Sequence, residues 1–69
     1  MEKIPVIAGS IWKNMKNIEF TVHEIIFVSN DWYSFQAVIY SRIKKDKEIL
    51  KIIRLEDFKN NFMWVKNEE

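Results

Sequence analysis

From Ile18 the chain alternates residue by residue, with Ile18, Phe20 and Val22 set against Glu19, Thr21 and His23, and then the alternation fails. A period of two belongs to a strand with one face buried and the other in water. Glu24 falls where an apolar residue is due, and Ile25, Ile26, Phe27 and Val28 follow without interruption. One extra residue in the strand, a bulge or sharp bend between His23 and Ile25, restores the phase. Such a bend lets a small sheet curl, so the expected product is a barrel of short strands.

The flanking segments extend this pattern. Glu2 to Ala8 reads as an amino-terminal arm in which Pro5 blocks pairing inside a sheet. Gly9 and Ser10 permit a sharp entry into a short strand, Ile11 to Lys13, and Asn14 to Asn17 reads as a turn. Ser29, Asn30 and Asp31 form a second turn before a long strand, Trp32 to Ile43. In it Tyr33, Phe35, Ala37 and Ile39 share one face, and Val38 and Tyr40 occupy the other. Lys44 to Lys47 is a charged hairpin tip, followed by the β-branched strand Glu48 to Leu55. After Leu55 the period changes, because Phe58 and Phe62 stand four apart behind Glu56 and Asp57, as suits a helical turn with acids at its start. Met63 to Lys66 closes as a last strand, and residues 67–69 are a polar tail. The expected fold is therefore all-β: residues 1–69 form a single five-stranded SH3-like barrel with one short helical turn before the last strand.

A chain of 69 residues builds one core and buries only about 60% of its unfolded surface. Small domains of this size draw extra stability from disulfides, a metal or self-association. Cysteine is absent and His23 is the sole imidazole, which removes disulfides and thiolate metal sites. Dense packing or a homodimer is left, and the apolar residues on both sides of Val38 to Tyr40 and Ile49 to Ile53 point to the homodimer. No signal-peptide pattern or apolar run of membrane-spanning length is visible, so a cytoplasmic protein without membrane contact is expected.

Catalysis finds little support. His23 with Ser10, Ser29, Ser34 or Ser41 and Asp31 or Asp57 lacks the nucleophile elbow and oxyanion loop that a triad needs. No glycine-rich phosphate loop exists, since Gly9 is the only glycine. His23 lies on the polar phase of its strand and reads as an exposed or hydrogen-bonding side chain. The expectation is a binding protein that is not an enzyme and carries no cofactor.

Two groups of side chains remain for binding. Phe20, Phe35, Phe58 and Phe62 take core phases, whereas Trp12, Trp32, Tyr33, Tyr40 and Trp64 exceed what so small a core absorbs. Trp12 and Trp64 read as core or rim packing. Trp32 and Tyr33 follow Asn30-Asp31 at a loop tip and serve either as anchors for a partner or as packing across the barrel mouth. The other group is basic: Arg42, Lys44, Lys45, Lys47, Lys51 and Arg54 lie within thirteen residues, offset by Asp46 and Glu48. It reads as a solvated hairpin tip or as a phosphate-contacting edge. Trp32, Tyr33, Tyr40, Arg42, Lys44, Lys45 and Arg54 are the candidate binding residues.

The succession Gly9-Ser10-Ile11-Trp12, a valine-isoleucine strand, two further strands and Leu55-Glu56-Asp57-Phe58 with Phe62 resembles the small SH3-like proteins of phages and prophages. In those a G-x-I/V-W opening precedes a meander and an L-x-x-F-x-x-x-F turn. The abundance of Ile, Lys, Asn, Glu and Phe agrees with a low-GC bacterial or phage genome. The resemblance implies a phage-encoded module that inhibits or modulates a host or defence protein by protein–protein contact. The alternative is a nucleic-acid-binding accessory protein that stacks bases on aromatic rings and meets phosphates with Lys and Arg. Eleven basic against ten acidic residues, a net charge of +1, weigh against that alternative. A small-molecule sponge would need an oligomer whose interface forms the pocket.

Overall fold

The computed structural model describes residues 4–67. Five antiparallel strands, β1 (Ser10–Lys13), β2 (Glu19–Ser29), β3 (Ser34–Lys44), β4 (Lys47–Arg54) and β5 (Met63–Asn67), form one sheet in the order β4-β3-β2-β1-β5. The helix α1 (Leu55–Asn61) precedes the last strand. The mainly-β class, the five strands and the short helix agree with the sequence. The barrel does not: the sheet is open, with β4 and β5 as its two edges among the described residues. Residues 1–3 of the expected arm and residues 68–69 of the expected tail lie outside the described part, and Asn67 belongs to β5.

The bulge lies where the alternation breaks. Val22 pairs with Tyr40 and Glu24 with Ile39, so His23 is the extra residue of β2. Before it, even-numbered residues of β2 face the core; after it, odd-numbered ones do.

That inward face is aromatic. Trp12, Phe20, Val22, Val38, Tyr40 and Phe58 are buried together, with Val6 of the arm. Helix α1 covers them because Phe58 and Phe62, one helical turn apart, stack at 4.3 Å between ring centroids and 10° between planes. Phe58 meets Trp12 and Tyr40 edge to face at 5.3 and 5.4 Å, and Phe20 meets Tyr40 and Phe62 in the same way at 5.3 and 5.5 Å. Such pairs contribute about 0.5–1.5 kcal/mol each beyond the area they bury. The Trp12 indole N–H donates to Ser10 Oγ at 2.9 Å, and the Ser10 hydroxyl donates to the Ile7 carbonyl, which satisfies the polar groups at the mouth of the core.

Strand β3 reverses the expected assignment of two residues. Tyr40 is buried against Phe20, Phe58 and Phe62, which removes it from any binding surface. Burial also pushes its phenol above the ordinary 10.0. Phe35, assigned to the core by its phase, lies on the opposite face and is half buried. Both faces of β3 are apolar, so alternation separates the two sets of residues without telling which set lies under the helix.

The turns follow local chemistry. Asn14 Oδ1 accepts from the backbone N–H groups of Lys16 and Ile18 at 2.9 and 3.1 Å, closing the β1–β2 turn. Lys45 and Asp46 link β3 to β4 in two residues, both at positive φ (51° and 64°), as a type I′ hairpin turn requires.

Candidate functional site at the aromatic end of the β2–β3 hairpin

The β2–β3 hairpin ends in a four-residue loop between Ser29 and its partner Ser34. Asn30 organises it: its side-chain oxygen accepts from the backbone N–H groups of Trp32 and Tyr33 at 2.8 and 2.9 Å, and its own N–H donates to the Tyr33 carbonyl at 2.9 Å. Three hydrogen bonds in four residues fix the loop backbone, a common use of asparagine at turns. The Trp32 ring projects from this fixed backbone with 90% of its surface in solvent.

Tyr33 turns back onto the sheet and stacks on Phe35 at 5.6 Å and 19°. The Arg54 guanidinium covers the Phe35 ring from β4, 4.7 Å from its centroid. Next to this stack is a cavity of about 280 Å³ lined by Ser34, Phe35, Gln36, Arg54, Leu55 and Glu56. Phe27, 67% exposed, carries a further ring on the same hairpin. Tyr33, Phe35 and Arg54 are thus brought together beside Trp32. The sequence misses Phe35 and Phe27 as surface residues: Phe27 shares the inward phase of Ile25 after the bulge and is nonetheless 67% exposed, so its phase carries no signal of exposure.

Two of the basic candidates, Lys44 and Lys45, separate from the aromatic ones. Lys44 and Lys45 are exposed at the β3–β4 turn, at the far end of β3. Strands rise about 3.3 Å per residue, so eleven residues of β3 hold these lysines roughly 35 Å from Trp32. Arg42 is half buried on the core side with its guanidinium carbon 5.9 Å from the Phe20 centroid, and its Nε is buried without a hydrogen-bond partner among the described residues. Of the seven candidate residues, Trp32, Tyr33 and Arg54 form one surface, Lys44 and Lys45 another, and Arg42 and Tyr40 belong to the inner side.

His23 is exposed, and its Nε2 hydrogen-bonds the Ser41 hydroxyl. No cluster of three or more His, Asp or Glu side chains able to hold a metal occurs among the described residues. A larger cavity of about 710 Å³ lies between α1 and β5, lined by Trp12, Lys59, Met63 and Trp64 among others, with Trp64 39% exposed and its indole N–H on Asn67 Oδ1 at 3.0 Å. Among the described residues no helix is long and apolar enough to cross a membrane. No family model, curated protein or solved structure matches the chain.

Proposed function

We propose that this protein is a non-catalytic module that binds another protein through the aromatic end of its β2–β3 hairpin, with Trp32 as the anchor and Tyr33, Phe35 and Arg54 around it. The single observation behind this reading is an almost fully exposed indole on a loop whose backbone is held by three hydrogen bonds. An apolar ring in water gains from leaving it, and a pre-ordered loop loses little entropy when it docks. Tyr, Trp and Arg are the side chains that dominate interface energetics, and Tyr33, Trp32 and Arg54 supply all three. The resemblance to small phage proteins extends the proposal: the partner is a host or defence protein in the bacterial cytoplasm, inhibited by occlusion.

The nucleic-acid alternative needs bases stacked on aromatics beside phosphates held by Lys or Arg. A separation of roughly 35 Å between Trp32 and the Lys44-Lys45 tip leaves Arg54 as the one candidate cation beside the aromatic rings, which counts against extended interleaving. The test is quantitative capture from host lysate by the wild-type protein and by W32A/Y33A, followed by titration of each retained protein in purified form. A partner bound by the wild type and weakened at least a hundredfold in the double variant is the expected result. Salt-sensitive retardation of DNA by the wild-type protein, with no protein partner bound, would replace this reading with the alternative.

A further inference from the structure

We infer that two copies of this chain pair through their β4 strands, edge to edge and antiparallel, about a two-fold axis at Lys51. The surface adjoins the hairpin end and shares Arg54 and Phe35 with it, but the inference does not depend on the function proposed there. Among the described residues, strand β4 is hydrogen-bonded to β3 on one side only. It is the longer edge, eight residues against five in β5, and its sequence Lys47-Glu48-Ile49-Leu50-Lys51-Ile52-Ile53-Arg54 contains no proline, glycine or bulge. An edge of that kind offers unpaired N–H and C=O groups to another strand. Leu50 and Ile52 are each 61% exposed, and they continue an apolar outer face formed with Ile26, Val28, Phe35 and Ile39.

The side-chain pattern selects the occupant and the register. A two-fold axis normal to the sheet keeps each face continuous, so only residues of like parity can stand opposite one another. Centred on Lys51, the pairing sets Leu50 against Ile52 and Ile49 against Ile53. It also sets Glu48 against Arg54, twice per dimer. Centring on Leu50 would oppose Glu48 to Ile52 and Ile49 to Lys51; centring on Ile52 would oppose Leu50 to Arg54. Only the Lys51 register matches apolar with apolar and acid with base from Glu48 to Arg54 on either side of the axis.

The one like-charge pair, Lys51 with its own copy, is relieved by geometry. The Lys51 ammonium lies 6.0 Å from the centroid of Phe20 in its own chain, drawn inward over the sheet. Arg54 holds its guanidinium carbon over the Phe35 ring, 4.7 Å from the centroid, and a guanidinium has N–H donors enough to meet a carboxylate from that position. Pairing of β4 with β4 closes after two copies, whereas β4 with β5 would run on into filaments.

Sedimentation equilibrium at high micromolar concentration tests this with charge-swapped variants, each checked for folding by circular dichroism. The wild type is expected to be a dimer, E48R to weaken it about tenfold, and E48R/R54E to restore it. A cysteine-free chain permits a second readout: K51C should oxidise to a covalent dimer, with K47C as the control that does not. A monomeric wild type overturns the inference. So does a dimer indifferent to E48R, or one that K51C fails to cross-link.

Discussion

Arg54, the last residue of β4, holds its guanidinium 4.7 Å from the centre of the Phe35 ring on β3. A cation over an aromatic face contributes about 0.5–1 kcal/mol at an exposed site. Arg54→Ala should therefore lower the melting temperature by roughly 2–8 °C. Arg54→Lys should recover part of the loss, because an ammonium keeps the charge without the planar cover. Differential scanning calorimetry distinguishes the two, and equal melts for wild type and Arg54→Ala would show that the contact adds nothing.

Trp32 and Tyr33 differ in what they support. Trp32 projects into solvent, so Trp32→Ala should leave the melt within about 0.5 kcal/mol of wild type. Tyr33→Ala removes the stack on Phe35 and should cost about 0.5–1.5 kcal/mol. Both should weaken partner binding, and urea titrations followed by tryptophan-independent circular dichroism give the stability of each. A Trp32→Ala protein that melts well below wild type would make this indole structural.

Phe58 is fully buried and touches three other rings, so truncation leaves a large hole where α1 meets the sheet. Phe58→Ala should cost about 3–5 kcal/mol, most of what a domain this small possesses. The expected spectrum is that of a largely unfolded chain at 25 °C, the ordinary reference temperature. Native near-ultraviolet dichroism in this variant would contradict the packing described.

The β3–β4 turn asks positive φ of two residues that have side chains, Lys45 and Asp46. Left-handed backbone costs non-glycine residues about 1 kcal/mol, and Asn-Gly is the pair best suited to this turn. Lys45→Asn/Asp46→Gly should raise the melting temperature by about 4–8 °C per kcal/mol regained. An unchanged or lower melt would mean that the turn is not of this type.

Tyr40 gives the protein a pH dependence on the alkaline side. Burial raises its phenol above 10.0 in the folded state, so the folded chain keeps a proton that the unfolded chain releases. Stability then holds below pH 10.0 and falls as pH rises through the folded value. Melts of wild type and Tyr40→Phe from neutral to alkaline pH should diverge there, with the wild type losing more. Parallel curves would assign the alkaline loss to other groups.

Alternation along Ile18 to Leu55 carries most of this fold, including the stretch from His23 to Ile25 within which β2 gains its bulge. It could not carry the assignment of faces in β3. Tyr33, Phe35, Ala37 and Ile39 form one apolar set and Val38 and Tyr40 another, and the choice between them is made at a distance, by Phe58 on α1 and Phe62 at its end. Tyr40 and Phe35 were exchanged for that reason. Trp32 was legible because Asn30-Asp31 announces a turn, and a turn has no opposite face on which to hide an indole. Arg54 was legible only as a charge, since its position over Phe35 depends on the β3–β4 register.

His23 has one more consequence. The bulge makes β2 a strand with two frames, even-inward before the extra residue and odd-inward after it. Deleting His23 would put the two segments into one frame, sending either Phe20 and Val22 or Ile25 outward. The hairpin beyond the bulge is freer, because adding or removing matched residues on β2 and β3 near Ser29 and Ser34 leaves the frame under α1 untouched. The end that carries Trp32 can thus change in length, so the reach of that indole can be altered in descendants without renegotiating the core.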